Sequence, residues 1–583
     1  MRRTKILATI GPASCELETI KKMIEQGLDG ARFNFSHFNF DVGTQWINNV
    51  KEAREIMGKP IPLILDTKGP EIRTKTLEGD KVYLEQGAEF TLTTDDIVGD
   101  QTRVSVTYEN LPRDLKVGSR VLIDDGLIEM TVTSIKGNNI KCVLVNSGFL
   151  GNRKGINVPD VYVDLPSLTE KDIEDIKFGI ENGFDFVAAS FVRTADDIVN
   201  IRNVLEQNNG EHLRIIAKIE SRDGVNNLDA ILEVADGVMV ARGDLGVEIP
   251  PEEVPIVQKD MIRRCNMVGK PVITATHMLE SMCNNPRPTR AEANDVSNAI
   301  FDGTDVVMLS GETAGGKYPI ESIAMMARIA QKAESNIEHS TQRAAYYRNL
   351  NKNITNAISY AAVTTALDMD AACIVPITDS GFAARMVSRS RPNCPILAVT
   401  QDPVTYRQLN LSWGCIPMLS EKPFESDEEV FKMAEEMALK SKVASNGDAI
   451  VAVAGVPVAS AGATNTIRVL TVGNVLAKGV GNRRGIVQGA ARVIDNAEER
   501  VFFEQGDIII CTSTDDTMLE QLKKAGGLVI GSWEKLDYSH AETVSKALDI
   551  PLLKVNVRAV DFVRTGMAVT VDTNEGLLVN GYR

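Results

Sequence analysis

The chain has 583 residues, 43% of them hydrophobic and 24% charged, and a formal net charge of −16. That composition excludes a largely disordered chain. The acidic balance excludes a general nucleic-acid binder, while leaving room for a local basic pocket around a small phosphorylated ligand.

No apolar run reaches the roughly 18–20 residues that a bilayer requires. The most apolar stretch, Ala449 to Ala463, is broken by Pro457 and Ser460, and Ile6–Ile10 is too short for a signal-peptide core. A cytoplasmic protein without membrane or nucleic-acid partners is expected. Eight cysteines include no C-x-x-C pair, which argues against a zinc or thioredoxin-type site, and five histidines are too few for a multi-histidine metal centre.

In chain order, Lys5–Ile10 reads as a strand, Leu17–Glu25 as a helix, Asp29–Phe35 as a strand, Gln45–Met57 as a helix and Ile61–Asp66 as a third strand. From about residue 69 the pattern changes to period-two alternation with turn signals at Asp124-Asp125-Gly126 and Gly137-Asn138-Asn139, the mark of an inserted β domain. The βα rhythm returns at the capping-box start Ser167-Leu168-Thr169-Glu170. Five more strands follow, at Phe184–Ala189, Leu213–Ile219, Gly237–Ala241, Pro271–Thr276 and Asp305–Leu309. Eight βα units predict a TIM (β/α)8 barrel, with an open doubly wound sheet as the competing α/β fold. A separate α/β domain is expected from helix Ile354–Leu367, strand Ala371–Ile377, helix Ala383–Ser390 and strands Ile396–Thr400 and Ala449–Ala454. In the small α/β tail, strands Asp507–Cys511, Gly527–Ile530 and Ala568–Asp572 frame a helix at Ser539–Leu548. The resulting domains are 1–68 with 164–345 (barrel), 69–163 (lid), 346–477 (regulatory α/β) and 478–583 (tail).

A TIM barrel gathers its chemistry at the carboxyl ends of its strands. Those ends carry Arg32, Asn34 and Ser36; Asp66-Thr67-Lys68; Ser190; Lys218 and Glu220; Arg242-Gly243-Asp244; Thr274 and Thr276; and Ser310-Gly311-Glu312. Glu220 and Asp244 are hard oxygen ligands suited to Mg²⁺. Arg32 and Lys218 are fixed cations beside them, and the set as a whole suits a phosphorylated carboxylic acid. Gly243 permits close backbone approach, and the helix start after it can bind a carboxylate. Asn34, Ser36, Asp66 and Thr67 offer several neutral oxygens and one charge, which suits a monovalent cation.

At these residues the sequence resembles the pyruvate kinase family. The resemblance runs through Ile10-Gly11-Pro12-Ala13-Ser14, Ala31-Arg32-Phe33-Asn34-Phe35-Ser36-His37, Leu65-Asp66-Thr67-Lys68-Gly69-Pro70-Glu71-Ile72-Arg73, Lys218-Ile219-Glu220, Met239–Gly246, Ile273–Thr276 and Asn285–Glu292, and covers about residues 1–475. It implies transfer of phosphoryl from phosphoenolpyruvate to ADP, giving pyruvate and ATP, with Mg²⁺ (or Mn²⁺) and K⁺ as cofactors and a homotetramer as the assembly. It further implies that Glu220 and Asp244 bind Mg²⁺, and that Arg32 and Lys218 neutralise the moving phosphoryl group, Lys218 being the main stabiliser of the transition state. Gly243, Asp244 and Thr276 hold the substrate carboxylate, with Thr276 positioning a proton-delivering water. Arg73 and Lys154 contact the nucleotide, and Asn34, Ser36, Asp66 and Thr67 bind K⁺, a dependence consistent with Glu71. The tail is similar to the phosphohistidine domain of phosphoenolpyruvate-using enzymes.

The chain departs from the family pattern in four places. Phe33 stands where Leu is common and His277 where Gln is usual. In the Thr378-Asp379-Ser380-Gly381 loop, a phosphate site for an allosteric effector, Phe382 and Ala383 replace the hydroxyl residues of sugar-phosphate-regulated members, so weakened effector binding is expected. His540 lacks its preceding glycine pair, with Lys535-Leu536-Asp537 there instead, and a vestigial or interface role is expected. Two other functions compete. A Mg²⁺-dependent lyase or aldolase has no need of Lys154 or a lid, and a non-catalytic scaffold has no need of Lys218, Glu220 and Asp244.

Overall fold

The computed structural model describes residues 1–337, 353–421, 426–456, 464–495, 502–532 and 537–581. The expected boundary at 345/346, Pro457, Ser460, Lys535 and Leu536 lie outside the described residues. The chain divides into two units, one built from residues 1–352, 378–391 and 400–421, the other from 353–377, 392–399 and 422–583.

In the first unit, eight strands close into one barrel: Lys5–Thr9, Gly30–Asn34, Leu63–Asp66, Phe186–Ala189, Arg214–Ile219, Gly237–Ala241, Val272–Ala275 and Val306–Leu309. All neighbouring pairs are parallel, so the closed barrel holds and the open sheet does not. Strands such as Lys5–Thr9 and Gly237–Ala241 are buried along their whole length, as expected where helices cover the outside and side chains fill the inside. Leu7, Ile64, Phe186, Ile216, Met239 and Met308 fill the interior, and Leu411, from the turn Leu409–Leu411, joins that inner layer. The helix read from Gln45 begins earlier, at Phe40, because Asn39 caps it by accepting the amides of Asp41 and Val42.

Strands between Ile72 and Asn157 form a seven-stranded sheet and a two-stranded ribbon around a separate core that includes Phe90, Val121, Met130 and Ile140. Alternation is plain at Lys81–Leu84, where Val82 and Leu84 are buried and Lys81 and Tyr83 exposed.

In the second unit, Cys373–Pro376 pairs parallel with Ala449–Ala454, which pairs antiparallel with Thr466–Thr471. Helices Ile354–Asp368 and Asp427–Lys440 belong to the same unit. The tail corrects the sequence reading. Besides helices Leu519–Leu522 and Ser539–Leu548, its described residues form seven strands, not three, closed into a barrel: Val475–Gly481, Ile486–Ile494, Ile508–Cys511, Gly527–Gly531, Leu552–Val555, Ala568–Asp572 and Leu577–Asn580. Glycines allow the close strand approaches. A Cβ on Gly489 would lie beside the Gly506 carbonyl and one on Gly531 beside that of Val557. Gly489 also weakens the strand pattern of Ile486–Ile494, which the sequence reading missed. Among the described residues no helix is long and apolar enough to cross a membrane.

Candidate active site

The carboxyl ends of the barrel strands bring the charged residues together. Lys218, on the fifth strand, donates to Asp66 Oδ1 at 3.0 Å and Ser190 Oγ at 2.7 Å, and its Nζ lies 3.0 Å from Glu220 Oε1. Burial alone would lower the Lys218 pKa, but the Asp66 and Glu220 carboxylates reverse that and hold the ammonium above its usual range. On the second strand, Arg32 donates from Nε to Asp66 Oδ2 at 2.6 Å and from Nη1 to Thr9 Oγ1 at 2.7 Å. Asp66 is thus gripped by two cations. Burial works against its ionisation, but Arg32 and Lys218 outweigh that and keep the carboxyl below the usual carboxylate range.

Glu220 accepts the Phe191 amide on Oε2 at 2.6 Å. Phe191 has φ 55°, a left-handed conformation that turns this amide toward the carboxylate. Burial, opposed by Lys218 and helped by the nearby Asp244 charge, pushes Glu220 up to about 7. Burial likewise raises Asp244. Buried Glu220 and half-buried Asp244, each raised by burial and by neighbouring carboxylates, are a donor set short of a cation, and their hard oxygens fit Mg²⁺. Among the described residues no group of three or more Asp, Glu, His or Cys gathers as a metal-ligand set. A divalent ion here must complete its shell from substrate and water, as Mg²⁺ does.

The proposed monovalent-cation residues are neighbours but partly committed. Asn34 and Asp66 are register partners on adjacent strands, and Asn34 Oδ1 accepts the Ser36 amide at 3.1 Å. The Thr67 hydroxyl accepts the Ser190 amide at 3.1 Å, and its carbonyl accepts Ser190 Oγ at 2.7 Å.

Gly243 follows the sixth strand, and its amide donates to Thr276 Oγ1 at 2.9 Å. Thr276 in turn donates to the Ala275 carbonyl at 2.6 Å. Thr276 and His277 have φ 65° and 53°, two consecutive left-handed residues. His277 is exposed.

Lys154 and Arg73 line a cavity of about 610 Å³ together with Glu71, Asp124, Asp125 and Asp244. Lys154 pairs with Asp124 at 2.9 Å and Arg73 with Glu71 at 2.6 Å. Both cations expected at the nucleotide thus line one cavity, each paired with a carboxylate. Two other strand-end residues have structural roles. The Thr274 hydroxyl is fully buried and donates to Thr304 Oγ1 at 2.9 Å, and Glu312 accepts the amides of Ser310 and Leu279. Thr9 was missed, although it ends the first strand and the strand-end rule reaches it. Ser190 was noted without a role. No sequence signal marks Phe191, since an aromatic residue rarely takes positive φ.

Away from the mouth, Gly381 has φ 76° and opens the helix Phe382–Arg389. Arg214 and Arg385 both donate to the Ser380 carbonyl, at 3.3 and 3.2 Å. In the tail, His540 Nδ1 lies 3.0 Å from Thr514 Oγ1 and Nε2 3.3 Å from Asp516 Oδ1.

Comparison with known proteins agrees along the chain. Family models described as pyruvate kinase, barrel domain, and pyruvate kinase, alpha/beta domain, match residues 1–323 and 356–470, and one described as PEP-utilising enzyme, mobile domain, matches 503–576. A pyruvate kinase of Bacillus licheniformis is 46% identical over 584 residues, covering 100% of this chain and 99% of its own length. One of Geobacillus stearothermophilus is 44% identical with the same coverage. The crystal structure of a pyruvate kinase from Cryptosporidium parvum superposes with a TM-score of 0.78 at 38% identity, over 81% of this chain and 96% of its own. With a family match over more than half its length, and full-length relatives at this identity, the chain belongs to the pyruvate kinase family of phosphotransferases.

Proposed function

We propose that the barrel mouth transfers phosphoryl from phosphoenolpyruvate to ADP, leaving pyruvate and ATP. The observation that carries this reading is the buried ring of Lys218, Asp66, Arg32 and Glu220. A phosphoryl group in flight spreads charge over its equatorial oxygens and needs alignment and electrostatic stabilisation more than covalent help. Lys218 and Arg32 supply two cations at fixed positions, oriented by Asp66, Ser190 and Thr9. Preorganised charge of this kind lowers a barrier because nothing must reorient as the reaction proceeds.

Glu220 and Asp244 would hold Mg²⁺ (or Mn²⁺), which when bound supplies Lewis-acid stabilisation of phosphoryl oxygens. Asn34, Ser36, Asp66 and Thr67 would hold K⁺. Gly243, Asp244 and Thr276 would hold the substrate carboxylate, at the helix start where the Gly243 amide now donates to Thr276 Oγ1. Lys154 and Arg73 would exchange their carboxylate partners for the nucleotide's phosphates, a stronger match of charge. The phosphate loop at Thr378–Ala383 would bind a sugar-phosphate effector weakly, since Phe382 and Ala383 offer it no hydroxyl. Titrating fructose 1,6-bisphosphate and AMP against the substrate saturation curve tests this, and a large shift at micromolar levels would refute it. The domain bounds given above and the homotetramer belong to the same proposal, with light scattering as the test of the assembly.

The direct experiment is ATP formation from phosphoenolpyruvate and ADP with Mg²⁺, with and without K⁺. K⁺-stimulated turnover is expected. Folded protein that makes no ATP but cleaves a substrate to pyruvate would move the assignment to a lyase.

A further inference from the structure

The Arg242 side chain has no role in the reaction so far described, yet every nitrogen of its guanidinium is engaged, two of them at the strained turn that carries Thr276. Nε donates to the Ala275 carbonyl at 3.1 Å and Nη2 to the Thr276 carbonyl at 2.5 Å. Nη1 pairs with Asp295 Oδ2 at 2.7 Å and reaches Gln258 Oε1 at 3.5 Å. Ala241 and Ala275 are register partners at the ends of the sixth and seventh strands. Arg242, the next residue, therefore spans from one strand end to the other.

Thr276 is β-branched and left-handed, a conformation that persists only where the surroundings over-determine it. Arg242 fixes the carbonyls on both sides of the Thr276 backbone and so supplies that constraint. The hydroxyl raises a second point. It has one proton to give, and here that proton goes back to the Ala275 carbonyl. A hydroxyl so committed cannot pass a proton forward. The Ala275 carbonyl, however, also receives Arg242 Nε. When the Thr276 hydroxyl rotates toward the mouth, this carbonyl keeps a charged donor and is not left unsatisfied.

We infer that Arg242 is a positioning residue for the proton-transfer half of the reaction, holding the Thr276 turn and releasing its hydroxyl by standing in as donor to Ala275. This rests on the function proposed above. In that reaction a β-phosphate oxygen of ADP bonds the phosphorus as the bond between phosphorus and the enol oxygen breaks, and the broken bond's electron pair stays on the enol oxygen. As the carbonyl forms, the terminal carbon takes a proton from the Thr276 hydroxyl or a water it holds, and solvent restores that proton.

The test separates proton transfer from phosphoryl transfer. With Mg²⁺, K⁺ and ATP present, exchange of the pyruvate methyl protons for deuterium, followed by NMR, reads the proton step without net turnover. In R242K the exchange rate is expected to fall about tenfold or more, since small misplacements of a reacting group carry costs of that order, while KM for phosphoenolpyruvate changes little. In T276A exchange is also expected to fall, and adding R242K to T276A should change it no further, because Arg242 acts through Thr276. Effects of the two substitutions that multiply would overturn the inference. If R242K melts below the assay temperature, D295N, which unpins the guanidinium from behind, takes its place in the same cycle with the same two outcomes. Wild-type protein that makes no ATP would instead refute the proposed reaction, so the two failures are distinguishable.

Discussion

The chain contains two closed barrels that handle charge in opposite ways. In the parallel barrel, Arg32, Asp66, Lys218 and Glu220 face one another with side chains at most 12% exposed. In the tail barrel most charged pairs lie outward, Arg492 with Asp507 at 2.7 Å being the buried exception. His540 is one-third exposed beside an Asp516 that is 90% exposed, and Lys554 pairs with Glu542 at 2.6 Å near the surface. Burying charge is costly unless it is paired, and surface pairs contribute little. A protein concentrates buried, mutually perturbed charges where chemistry needs them. On this comparison we propose that phosphoryl moves in the parallel barrel and that the tail's histidine is a bystander.

The largest expected effect sharpens that contrast. Lys218→Met should lower turnover by at least ~10²–10³-fold, the usual loss for one preorganised donor, with an unchanged circular dichroism spectrum; near-normal turnover would remove Lys218 from the mechanism. Next comes the lid. Lys154→Ala should raise KM for ADP by about tenfold or more, since a charged hydrogen bond contributes ~1.5–3 kcal/mol, and leave KM for phosphoenolpyruvate nearly unchanged. A smaller, local effect belongs to the tail. A Cβ at Gly479 would run into the Lys554 carbonyl, so Gly479→Ala should destabilise the tail by ~1–3 kcal/mol, seen as an earlier proteolytic cut in the tail, with turnover intact. His540→Ala should change turnover least, within about twofold, as a surface substitution away from the reacting atoms does. A large loss there would erase the distinction between the two barrels.

Much of the first barrel was legible in the sequence because each strand is short, mostly apolar and followed by helix, in places with a clear cap, as at Thr169 and Thr289. Strand Gly237–Ala241 falls where it was read. The tail was less legible because Val475–Gly481 and Ile486–Ile494 mix glycine and charge with their apolar residues, and closure depends on pairing across the whole segment. At the mouth, residue types disclosed the cations and carboxylates. Their partners were not disclosed, because Phe191 contributes a backbone amide and Arg242 bridges two strand ends, and neither relation has a pattern along the chain.

The most direct test of the central claim follows the phosphoryl group itself. Phosphoenolpyruvate labelled with ³²P is mixed with ADP and protein, and both ATP and protein are assayed for label under conditions that preserve phosphohistidine. The account predicts labelled ATP from wild type and from His540→Ala, none above background from Lys218→Met, and no labelled protein. Label on His540, with ATP formation lost in His540→Ala and kept in Lys218→Met, would contradict it.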